Sequence, residues 1–115
     1  MTTSTLSDRW QDAEDLRWAV RAWATRIGVK VRQVQLRPMT QKWGSMSRAG
    51  RLTLDTALLT LPRELGEYVI VHELVHLLAP SHGKVFKSFL NAYLPGWERH
   101  HAALRALGRN GAAGH

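Results

Sequence analysis

The sequence contains no cysteine, so disulfides and thiolate metal sites are excluded. Any bound metal must sit on histidine and carboxylate. Long hydrophobic runs are missing too. The greasiest stretch, Tyr68 to Ala79, is broken by His72, Glu73 and His76 and is too short to span a bilayer. The opening residues, MTTSTLSDRW, have neither the basic start nor the apolar segment of a secretory signal. The chain therefore reads as soluble and cytoplasmic, with no membrane partner. No internal repeat and no glycine-rich phosphate loop occurs.

Acid is absent from residues 28–51, where Lys30, Arg32, Arg37, Lys42, Arg48 and Arg51 fall, and the net charge is +7. Such a stretch could attract nucleic acid or an acidic polypeptide; equally, it describes strands with solvated cations on their outer face. At 115 residues the chain suits one hydrophobic core. The expected division is a flexible start at 1–7, a single domain at 8–107 and a disordered tail at 108–115.

From Asp8 to Ile27, apolar residues recur every three or four positions, which predicts a helix with Ser7 as N-cap and Gly28 as its end. The segment VKVRQVQLRP alternates as a strand does, but its phase slips at Arg32–Gln33, and Pro38 ends it. KWGSMS and RLTLD flank Arg48–Ala49–Gly50 as a hairpin. A helix then starts at Pro62, with Leu65, Val69, His72 and His76 on one face, and Ala79–Pro80 should stop it. Helices over Lys84–Tyr93 and Trp97–Leu107 complete an α+β fold: an N-terminal helix, a small antiparallel sheet of about three strands, then helices.

The stretch VHELVHLLAPSHG carries the chemistry. His72 and His76 stand one turn apart on a helix, so both imidazoles can reach one ion. Glu73 lies about 100° further round the helix. From there it can approach a water on the ion as general base, the HExxH pattern. His82 follows six residues after His76 and is the candidate third ligand, with Gly83 free to let the chain double back. Metzincins use that interval, yet they place Gly where Ala79 stands and a Met downstream. Here Met39 and Met46 both lie upstream. The competing reading makes His72 and His76 hydrogen-bonded core histidines. Burying two imidazoles and a carboxylate is costly unless something pairs them, and an ion does so directly.

Trp43, Gly44, Ser45, Gly50, Leu54, Pro62, Tyr68, Val69, the HExxH residues, His82 and Phe86 together resemble the core of the YgjP-like metallopeptidases, relatives of SprT-like and WLM-type proteins. LPGWERHHAAL resembles that family's ending, and the similarity spans about residues 18–107. Lys42, Met46 and Asp55 stand where the family usually has Arg, Cys and Asn. A β-rich N-terminal region common in the family has no counterpart, so the chain reads as the catalytic core. The resemblance implies a zincin-like helix and one zinc ion per chain on His72, His76 and His82. It also implies Glu73 as the base that hydrolyses peptide bonds.

A polypeptide substrate would pair with one strand of the 43–54 hairpin, making Trp43, Gly44, Ser45, Arg51, Leu52, Thr53 and Leu54 candidate contacts. Tyr93, His100, His101 and Arg105 are candidate oxyanion donors. Two other functions fit the sequence: a metal-dependent hydrolase of nucleotides, and a basic nucleic-acid-binding module with a non-catalytic metal site. Both would use the 30–51 stretch.

Overall fold

The computed structural model describes residues 9–108. Ser7, the rest of the start at 1–7 and the tail from 109 onward lie outside the described residues. In chain order the elements are helix α1 (Ala13–Ile27), strands β1 (Gln33–Arg37), β2 (Gly44–Met46) and β3 (Arg51–Asp55), a 3-10 turn (Thr56–Thr60), and helices α2 (Arg63–Val75), α3 (Lys84–Tyr93) and α4 (Trp97–Ala106). The α+β class holds. Among the described residues no helix is long and apolar enough to cross a membrane.

Helix α1 starts later than its apolar period suggests. Asp12 takes the N-cap, its carboxylate accepting from Asp15 N at 2.9 Å, while Asp15 accepts in return from Gln11 N at 3.0 Å. That reciprocal cap ends the helix on its N-terminal side. Trp10 lies before it, buried at 6 % exposure against Gly66 of α2. Gly28, at φ 86°, closes the other end in the left-handed conformation that glycine adopts without strain.

The sheet is mixed, which corrects the antiparallel expectation. Its order is β1-β3-β2, with β1 parallel to β3 and only β2 antiparallel to it. Residues 38–43 are too long a link for a tight β1–β2 hairpin, and β3 inserts between the two strands. Asp55 holds that link, its Oδ1 accepting from Met39 N at 3.3 Å and Ala57 N at 3.0 Å. The phase slip at Arg32–Gln33 marks the start of β1, where both N–H groups donate to Gly50 O at 2.8 and 3.3 Å. Residues 29–32 do not join the strand.

Helix α2 sits at the centre and packs on α1, α3, α4, β2, β3 and the 3-10 turn. Every residue from Tyr68 to Val75 is buried, so the helix is greasy all round and not amphipathic. It also ends before Ala79. His76 N and Leu77 N bond three residues back, to Glu73 O and Leu74 O, and this 3-10 tightening finishes the helix at Val75.

Gly66 is where α2 meets Trp10. A Cβ there would stand 2.6 Å from the indole Nε1 and 2.9 Å from Cζ2. Alanine in a helix gains about 1 kcal/mol over glycine, but this overpacking costs about 1–3 kcal/mol. Gly66→Ala should therefore lower the thermal unfolding midpoint. An unchanged or raised midpoint would mean that Trp10 yields freely.

Candidate metal centre

His72 and Glu73 come from the last full turn of α2, and His76 occupies its C-cap. The chain then turns outward and returns at His82, just before Gly83 caps α3. Gly83 has φ −84°, so the return needs no glycine-only conformation, contrary to the role expected of it. The ligand atoms of His72, His76 and His82 lie within 4.8 Å of one another, and the Nε2 atoms of His76 and His82 are 3.1 Å apart. Phe86, 2 % exposed, lies beneath all three rings with centroid distances of 4.8–4.9 Å. In the sequence it appears only among the residues that carry the family resemblance.

Two nitrogens on one tetrahedral zinc stand about 3.3 Å apart, given bonds of about 2.0–2.1 Å. The His76–His82 separation meets that requirement, although a hydrogen bond between neutral rings would have a similar length. The third imidazole and the carboxylate beside it add to the comparison. Tyr68 Oη is 3.3 Å from His72 Nδ1, leaving Nε2 as the nitrogen His72 can offer an ion. Glu73 is 1 % exposed, and its Oε2 has no hydrogen-bond partner among the described residues. Burial raises its carboxyl pKa to about 8, with the Lys42 charge pulling the other way. A buried polar group without a partner costs about 1–3 kcal/mol. A core would shed that cost; a reaction centre has use for it. The donor set fits a zinc ion.

Two clefts meet at His82. One, of about 510 Å³, runs between the end of α2 and strand β2 and is lined by Lys42, Ser45, Met46, Arg48, Glu73 and His76 among others. The other, of about 340 Å³, opens between α3 and α4 and is lined by Tyr68, His72, Trp97, His101 and Arg105 among others.

The expected substrate contacts fall unevenly. β3 is the central strand and pairs on both sides, so Arg51, Leu52, Thr53 and Leu54 have no open edge to offer. Leu52 and Leu54 are core residues at 0 % exposure, and Trp43 is buried at 3 %. Ser45 reaches the first cleft, and Gly44 sits on the β2 edge with its Cα turned to Val69 of α2. Of the candidate oxyanion donors, His101 and Arg105 line the second cleft, while Tyr93 packs edge-on against Trp23. His100 faces the Tyr68 ring at a centroid distance of 6.4 Å. The basic stretch does not form one surface. Lys42 and Arg48 line the first cleft, whereas Lys30 and Arg32 line a groove against Arg17 and Arg21 of α1.

The family model of the YgjP-like metallopeptidase domain matches residues 7–107. Among solved structures, the metallopeptidase zymogen of Pyrococcus abyssi abylysin is similar at 26 % identity and a TM-score of 0.72. That match covers 83 % of this chain and 97 % of that one. The metallopeptidase zymogen of Methanocaldococcus jannaschii jannalysin is similar at 25 % identity and a TM-score of 0.69, over 80 % and 93 % of the two chains. No curated protein matches.

Proposed function

The chain belongs to the YgjP-like metallopeptidase family, a premise from which we propose that it cleaves extended polypeptide with one zinc ion on His72, His76 and His82 and with Glu73 as its proton carrier. As a family member it is a metal-dependent peptidase. The observation that carries the finer reading is the buried Oε2 of Glu73, without a hydrogen-bond partner among the described residues, next to three converging imidazoles and on the wall of a cleft.

When bound, zinc supplies a Lewis acid that polarises a carbonyl and makes water more acidic. The remaining work falls to the chain. Glu73 takes a proton from the attacking water at its carboxylate and returns it to the leaving amine nitrogen. Phe86 and the buried end of α2 keep bulk water from the floor of the site. Lys42 and Arg48 make that cleft positive.

Strand β2 supports pairing with an extended substrate. Asp55 N donates to Trp43 O and Ser47 N to Arg51 O, both at 2.9 Å, so Trp43, Ser45 and Ser47 turn their backbone groups inward to β3. Gly44 and Met46 consequently turn theirs outward, along the cleft. Met46→Pro removes an outward N–H and spares the ladder, whereas Ser45→Pro breaks it. The expected result for Met46→Pro is a KM about tenfold higher with kcat little changed, near the worth of one hydrogen bond. A KM equal to the parent's would rule out pairing at this edge.

The activity itself is tested on unfolded polypeptide. Zinc-loaded protein should cleave it, a chelator should stop cleavage, and zinc should restore it. Hydrolysis of nucleoside triphosphates with peptides left intact would assign the site to phosphorus chemistry instead.

A further inference from the structure

Tyr68 is fully buried in α2, one turn before His72, and its hydroxyl lies between two histidines. His72 Nδ1 is 3.3 Å away on one side, and His101 Nδ1 of α4 is 3.0 Å away on the other. The ring itself is held independently, stacked on Trp97 with planes 6° apart and centroids 6.2 Å apart. Trp97 in turn donates from Nε1 to Asn91 Oδ1 at 2.9 Å, which ties α4 to the end of α3.

A phenol has one proton to give and lone pairs to receive with. Between two imidazole nitrogens it makes two sound hydrogen bonds only when one nitrogen carries a proton and the other does not. Two polarities satisfy that condition. In the first, His72 Nδ1–H donates to Tyr68 Oη, and Tyr68 O–H donates to His101 Nδ1. In the second, His101 donates to Tyr68 and Tyr68 to His72. Only the first leaves a lone pair on His72 Nε2, the nitrogen that can face His76 and His82. The second puts a proton there, where it would exclude a cation.

We infer that Tyr68 and His101 are positioning residues that fix His72 in its Nδ1–H tautomer and so present Nε2 to the metal. His101 suits the receiving end. Burial and the Arg105 charge both lower its pKa, which keeps its ring neutral and its Nδ1 able to accept. Partners of this kind commonly set metal affinity by about 10–100-fold when removed. The sequence hides the arrangement because His101 lies far along the chain, and only the packing of α4 on α2 brings it to Tyr68.

The inference rests on the zinc reading above, and its tests separate the two. Long-range proton–nitrogen spectra of the metal-free parent should show His72 protonated at Nδ1 and His101 at Nε2. The reverse assignment, or mixed tautomers at His72, overturns the inference whether or not the protein binds zinc. Zinc affinity, measured by competition with a chelator, should fall about tenfold or more in Tyr68→Phe and His101→Ala. Tyr68→Phe keeps the Trp97 stack, so loss of fold does not account for its effect. His101→Asn, whose Oδ1 can stand in for Nδ1, should stay within about threefold of the parent. Equal affinity in all the variants overturns the inference. So does an equal loss in His101→Ala and His101→Asn. A parent that binds no zinc removes the metal reading, and the tautomer assignment then decides this one alone.

Discussion

Glu73→Gln should lower kcat/KM on an unfolded polypeptide by about 10²–10⁴-fold while the protein keeps its zinc and its fold. Glutamine matches glutamate in shape but cannot take up a proton. The side chain is 1 % exposed, and its Oε2 has no hydrogen-bond partner among the described residues for the substitution to break. It also removes a carboxyl that burial disfavours in its charged form. A drop in activity cannot then be traced to unfolding, which circular dichroism and a thermal melt would check. Parent-like cleavage by this variant would mean that another group carries the proton.

The second large effect belongs to His82→Ala. His82 is half-buried and lies beyond the end of α2, so its removal takes away its ring contacts with His72 at 5.2 Å and Phe86 at 4.8 Å and leaves the helix itself in place. If the three histidines form a zinc site, losing one of three protein ligands should cut zinc affinity by at least about a hundredfold and abolish cleavage. If His76 and His82 merely share a hydrogen bond at 3.1 Å, the variant should lose about 0.5–1.5 kcal/mol of stability and nothing else. Zinc titration and thermal unfolding of the same preparation separate the two cases. His72→Ala would be less informative, because His72 is 2 % exposed and packs against Tyr68 and Phe86.

The convergence of His72, His76 and His82 was legible because it is written in local spacing. One turn separates His72 from His76, and a helix stop precedes His82. The bounds of α3 were legible for a related reason: Pro80 and Gly83 before it and Pro95–Gly96 after it leave little choice. The β2–β3 hairpin followed from Gly50, which takes φ 95° at its turn. What the sequence hid was non-local. Nothing in QVQLR tells whether it pairs parallel or antiparallel, since alternation is the same in both. The parallel choice depends on where the 38–43 link passes. The start of α1 was misplaced because Trp10 and Ala13 keep a helical interval although Asp12 caps the helix between them. The end of α2 was misplaced because a 3-10 turn leaves little signature in composition. That Arg51, Leu52, Thr53 and Leu54 lack an open strand edge was hidden on the same ground as the sheet: no local feature of RLTLD says that it is the middle strand.

The most direct test of the account is the metal content of untagged protein, measured by elemental analysis beside a His76→Ala variant. About one zinc per chain is expected in the parent and almost none in the variant. A folded parent that carries no metal and takes up none when zinc is added would contradict it, and would make His72, His76 and His82 a hydrogen-bonded cluster of histidines.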